Sequence, residues 1–107
     1  MIYEYRVYEA VPGKMAALHA RFANHTTRIF ERHGIKNIGY WMEEVGTSGV
    51  LHYIVAFEDM AQRERAWQAF RNDPEWQKAR VESEKDGTLV ARVTNRIWVP
   101  TPYSPLK

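Results

Sequence analysis

Through the first nine residues Tyr3, Tyr5 and Val7 alternate with Glu4, Arg6 and Tyr8, a period of two that predicts a strand over Ile2–Glu9. Pro12 and Gly13 end it. From there Met15, Leu18, Phe22, Ile29, Phe30 and His33 recur at helical spacing, and Gly34 can take the left-handed conformation that stops a helix, so a first helix is expected over about residues 13–33. Ile35–Val45 returns to strand composition, and Gly46, Thr47, Ser48 and Gly49 form a loop to a third strand, Val50–Phe57. Asp59 and Gln62 make a capping box for a second helix, whose buried stripe is Met60, Trp67 and Phe70. Asp73-Pro74 is a further start signal, so Glu75–Glu84 reads as another helical segment ending near Gly87. Thr88–Val99 alternates again as a fourth strand, and Pro100, Pro102 and Pro105 keep the tail irregular.

The resulting order, β-α-β-β-α-β, is α+β and ferredoxin-like: a four-stranded antiparallel sheet with its helices on one face. At 107 residues the chain has room for one domain, spanning residues 1–107.

Two helices leave one side of such a sheet uncovered. Sorting the strands by parity assigns Tyr3, Tyr5, Val7, Leu51, Tyr53, Val55, Phe57 and the odd apolar positions from Leu89 to Val99 to the helix side. The other set carries Glu4, Arg6 and Tyr8, then His52, Ile54 and Ala56, then Val90, Arg92, Thr94, Arg96 and Trp98, with Trp41 or Tyr40 from the second strand, whose parity is ambiguous. Arginines, a glutamate, a histidine and aromatic rings on one face suit a partly enclosed ligand cavity better than a solvated surface or an aliphatic interface. The expectation is that two copies pair with these faces together, because the face is at or above the roughly 300–600 Å² patch an ordinary monomer exposes. The competing reading is an exposed sheet on which these charges only form cross-strand ion pairs.

Composition narrows the chemistry. The chain is 45% hydrophobic and 26% charged, which fits a globular domain, and it has no cysteine, which removes disulfides, thiolate metal sites and a cysteine nucleophile. A net charge of +2, from 15 basic and 13 acidic residues that are interspersed, does not call for an anionic partner. No run approaches a membrane span, and Met1 leads directly into a strand-like segment instead of a cleavable leader, so a cytoplasmic protein is expected.

His19, His25, His33 and His52 are scattered without metal-ligand spacing, and no metal or cofactor is expected. His33, just before Gly34, suits the negative end of the first helix. His52 projects from a central strand onto the uncovered face, where it could serve as a general base or merely as a cross-sheet hydrogen-bonding group. Glu4 and Arg6 are expected to reach Arg92 or Arg96, as an anion-orienting group or a structural pair. Trp67, Phe70 and Trp76 read as packing, and Arg63 and Arg65 as a solvated helix face. The same element order occurs in RNA-recognition modules, but the third strand lacks their basic-Gly-aromatic opening and has Ala56 where a stacking ring is needed.

Several fragments taken together resemble the NIPSNAP family of the dimeric α/β-barrel superfamily. They are Glu4-x-Arg6-x-Tyr8, Pro12-Gly13-Lys14, His33-Gly34, Gly39-x-Trp41, His52, Arg63 leading to Trp67 and Phe70, Asp73-Pro74-Glu75-Trp76, and Pro100-Thr101-Pro102-x-Ser104-Pro105. The resemblance implies a ferredoxin-like subunit that dimerises through its sheets. It implies no settled enzymatic activity, and the mitochondrial association of vertebrate members is not carried over to a chain with no visible leader. More distant superfamily relatives include cofactor-free oxygenases, haem-degrading enzymes and isomerases.

The sequence therefore predicts a homodimer that binds a small aromatic or anionic molecule in a cavity lined by Glu4, Arg6, Tyr8, Trp41, His52, Arg92, Arg96 and Trp98. Partners are a second copy and that ligand, with neither nucleic acid nor membrane. One alternative is a cofactor-independent monooxygenase or isomerase acting on an aromatic substrate, with His52 as catalytic base. Another is a protein-binding scaffold.

Overall fold

A computed structural model describes all residues from Met1 to Lys107. The elements are β1 (Ile2–Ala10), α1 (Met15–Arg21), a π-helical turn (Phe22–Thr26), α2 (Thr27–Arg32), β2 (Lys36–Met42), β3 (Val50–Phe57), α3 (Met60–Arg71), α4 (Pro74–Ser83) and β4 (Val90–Trp98). The sheet order is β2-β3-β1-β4 with every pair antiparallel, which gives the four-stranded antiparallel ferredoxin-like sheet that was expected. The predicted first helix exists but carries the π turn at its centre, where the Thr26 and Thr27 hydroxyls donate to the carbonyls of Arg21 and Phe22, five residues back. The second strand is shorter than Ile35–Val45, and a register shift between Asn37 and Gly39 bends it.

Both helix starts form as the sequence indicates. Asp59 Oδ1 accepts from the Gln62 amide at 2.8 Å, while the Gln62 side chain reaches back one residue further than a standard capping box, to the Glu58 amide. Asp73 Oδ1 accepts from the amides of Glu75 and Trp76, and its other oxygen accepts from Arg32 and His33 at 2.6 Å each. His33 thus clamps the end of α2 to the start of α4, a tertiary role beyond the helix-end contact expected of it. Those two donors hold the Asp73 carboxyl well below its usual range.

The core lies between helices and sheet, where Phe30 packs edge-on against Trp67 and Phe70 with centroids 5.4 and 4.9 Å away. Leu51, Tyr53, Val55 and Phe57 of β3 face it, as their parity predicts. Strand β1 has the opposite facing to the one expected. Glu4, Arg6 and Tyr8 point under the helices, and Tyr3, Tyr5 and Val7 point to the uncovered side.

The reason is a buried polar cluster that alternation along one strand does not reveal. Glu4 is fully buried, and its carboxylate accepts from Arg6 Nη1 (2.8 Å), Arg63 Nε and Nη2 (2.8 and 3.2 Å), Trp67 Nε1 (2.9 Å) and Asn95 Nδ2 (2.9 Å). Arg63 is accordingly a bound partner and not part of a solvated face. Arg6 also donates to the Tyr53 hydroxyl at 2.7 Å and lies over the Trp67 ring, 4.7 Å from its centroid. Burial alone would push the Glu4 carboxyl up, but these donors and the Arg6 charge bring it down to about 2.

Glu4→Gln is expected to destabilise the fold by about 3 kcal/mol, because it leaves the half-buried guanidinium groups of Arg6 and Arg63 without their counter-charge. Urea unfolding with an unchanged m-value checks this. Because the folded carboxyl is depressed, its contribution is fully present above the ordinary value of 4.5 and is lost as pH falls towards about 2, so the variant should lose part of that acid dependence. Asp73→Ala should cost about 1–2 kcal/mol through the lost cap, measured in the same way.

Candidate functional site on the uncovered sheet face

Of the residues assigned to the site by sequence, Trp41, His52, Arg92, Arg96 and Trp98 do share the uncovered face. Trp41 pairs with His52 in the β2–β3 register, and Arg92, Arg96 and Trp98 pair with Glu9, Tyr5 and Tyr3. Glu4, Arg6 and Tyr8 are on the other side and do not join them. The pairing expected between Glu4 or Arg6 and the β4 arginines is also absent: Arg92 bonds Glu9 at 2.6 Å, and Arg96 makes no ion pair.

The centre of the face is a chain of three side chains, two of which the sequence reading did not single out. Tyr5 Oη lies 2.7 Å from His52 Nδ1, and His52 Nε2 lies 2.8 Å from Glu43 Oε2. A carboxylate can only accept, so Nε2 carries the proton and Nδ1 is left as an acceptor for the Tyr5 hydroxyl. The His52 bond, followed by the backbone amide of Thr47, holds the Glu43 carboxyl below its usual value. Glu43 therefore orients the imidazole with its basic nitrogen against a phenol, the arrangement by which a histidine accepts a proton and is stabilised after doing so. Glu43 follows directly on β2 and belongs to the hairpin loop, so only the β2–β3 pairing brings it to His52.

Aromatic walls flank this relay. The Tyr5 ring stacks on Trp98 with centroids 4.8 Å apart and runs nearly parallel to the His52 ring. The Trp41 indole lies across Gly39, where an added Cβ would come within 2.6 Å of the ring and displace it. Trp41 and Trp98 remain 51% and 45% exposed, which leaves flat apolar surface on both sides of the relay. Past Trp98 the tail turns back over the sheet and, with Tyr3, Ile54 and Trp98, encloses a mostly apolar cleft of about 200 Å³ lined by Val99, Pro100, Ser104 and Leu106. Tyr3 and Ala56 are buried although they lie on the side without helices.

A family model matches residues 3–105: NIPSNAP. The chain belongs to the NIPSNAP family. It is 28% identical to Protein NipSnap homolog 1 of Danio rerio over 108 residues, covering 99% of this chain but only 36% of that longer protein. A NIPSNAP family protein of unknown function from Agrobacterium tumefaciens is 26% identical, covers all of this chain and 94% of its own, and superposes with a TM-score of 0.86. A Nitrosomonas europaea protein, whose name suggests an antibiotic biosynthesis monooxygenase, shares the fold with a TM-score of 0.64 at 10% identity, covering 94% of this chain and 98% of that one.

No group of three or more histidine, aspartate or glutamate side chains converges as metal ligands would, and no helix is long and apolar enough to cross a membrane.

The relay has a direct spectroscopic consequence. In ¹⁵N spectra of the neutral imidazole, His52 should appear as the Nε2–H tautomer, and Glu43→Gln should shift it towards a mixture of tautomers.

Proposed function

We propose that this NIPSNAP protein forms a homodimer through the uncovered sheet face and binds a small aromatic, anionic molecule in the chamber so enclosed. The Glu43–His52–Tyr5 relay between two exposed indoles carries this reading, because a polar chain set among apolar walls suits an oriented ligand and has no comparable role on a plain wet surface. The apolar cleft beside Trp98 takes the ring of the ligand. Arg96, opposite Tyr5 and without an ion-pair partner, offers a guanidinium to its negative group. Enclosure by a second copy would also remove the two indoles from water, which favours association.

The relay also supports a second reading, cofactor-independent oxygenation or isomerisation of an aromatic substrate. Tyr5 oxygen would accept a proton from an acidic O–H or C–H of the substrate while passing its own proton to His52 Nδ1, and Glu43 would stabilise the imidazolium formed. The resulting delocalised anion can be reprotonated at another atom, which is isomerisation, or can react with dioxygen supplied as co-substrate.

Sedimentation should give a dimer at micromolar concentration, and Trp98→Glu should convert it to a folded monomer. A monomeric wild-type chain would remove the chamber. In a thermal screen of aromatic carboxylates and phenols, a ligand present at 100 times its Kd should add about 2.7 kcal/mol of stability, and Arg96→Ala should abolish the shift. A dimer that responds to no such compound would favour the protein-binding scaffold. If His52→Ala retains binding but loses conversion of the bound compound, the enzymatic reading holds; if binding occurs and no compound is converted by the wild type, the protein is a binder.

A further inference from the structure

A second constellation lies on the helix layer, across the sheet from the relay, and does not depend on the reading above. Small side chains at Ala17, Ala20 and Ala79 leave space unfilled between α1 and α4, a cleft of about 290 Å³. Arg21 reaches into its lining although the residue is only 6% exposed. Its Nη1 donates to Ser83 Oγ at 3.2 Å and is 3.5 Å from Glu84, and the guanidinium lies over the Trp76 ring, 5.1 Å from the centroid. Its Nε has no hydrogen-bond partner, and neither does the shielded Nδ1 of His25 in the same lining. An unpaired buried polar atom costs roughly 1–3 kcal/mol, so two such atoms in one cleft call for an explanation.

The π turn supplies the rest. By inserting one residue into the helical repeat it brings Asn24 and His25 to the same cleft as Arg21, and π turns of this kind recur at binding sites. Across the cleft Glu82 forms no ion pair. The site thus offers donors at its base and a carboxylate at its rim. A simple anion would meet Glu82 and Glu84 as well as Arg21, and a simple cation would meet Arg21; a molecule carrying both charges satisfies both ends.

We propose that the cleft between α1 and α4 binds a small zwitterion of the amino-acid class, its carboxylate on the Nε–Nη2 edge of Arg21 and on Asn24, and its ammonium on Glu82. Nε is shielded, so reaching it requires the guanidinium to turn towards the cleft and give up part of its contact with Ser83, Glu84 and the Trp76 ring. Burial lowers the affinity of Arg21 for its proton, with Glu84 opposing, so an added carboxylate would strengthen an incompletely compensated cation.

The test is a ¹⁵N–¹H titration of the full chain with β-alanine, and separately with acetate and with ethylamine, the two single-charge halves. β-Alanine should saturably move the Arg21 Nε–H signal and the amides of residues 20–26 and 79–84, while His52 stays unchanged. It should bind about tenfold more tightly than acetate, the equivalent of one added charge-assisted hydrogen bond. Glu82→Gln, at an exposed position that the fold does not need, should bring β-alanine down to the level of acetate. Equal binding of acetate and β-alanine, a non-saturating response, or an unaltered Glu82→Gln would each overturn the proposal. Arg21→Lys should abolish the response in a chain that still folds; should that variant unfold, the Glu82→Gln result decides.

Discussion

The carboxylate of Glu4 is the constraint around which the rest of the subunit is arranged. It is sealed between sheet and helices, and its donors come from its own strand (Arg6), from the neighbouring edge strand (Asn95) and from α3 (Arg63, Trp67). A lone buried carboxylate would be costly, and here the cost is offset only when all three elements are in place together. The cluster therefore fixes register as well as facing. A slip of β1 by one residue would send Glu4 to the other side of the sheet and leave Arg6 and Arg63 without it.

That constraint has a consequence for the opposite surface. With Glu4, Arg6 and Tyr8 committed to the helix side, Tyr3, Tyr5 and Val7 must face the other way. Tyr5 then lies between His52 on β3 and Trp98 near the end of β4, and the Glu43–His52–Tyr5 relay can form. The polar interior and the aromatic exterior are two sides of one strand's pleat. The first is saturated with hydrogen bonds and resists change. The second keeps exposed rings and an unpaired Arg96 around a proton-accepting nitrogen, the condition of a surface suited to meeting something else.

The helix layer shows the same division. Where α2 meets α4, Asp73 satisfies two backbone amides and two side chains, so the junction is closed. Where α1 meets α4, the alanines leave a cleft open, and Arg21 Nε beside it has no partner.

Much of this was legible in the residues alone. Element order, the helix starts at Asp59 and Asp73, the facing of β3, and the place of His52 and Trp98 on one face followed from local periodicity and capping chemistry. These are short-range effects, set within a few residues of chain. The choice between Trp41 and Tyr40 on β2 was left open, and Val90 packs on the core instead of the uncovered face. The facing of β1 was not legible, because tyrosine occurs in both of its parity sets and the Glu4 carboxylate is paired by Arg63, 59 residues further on, and hydrogen-bonded by Asn95. Glu43 was missed for the same reason, since it reaches His52 only across the hairpin. The sequence by itself determined which segments became strands and helices and in what order they joined. Which polar groups were buried, and which were left facing outwards, was decided only by the tertiary structure, because a charge can be buried only where distant parts of the chain converge to pair it.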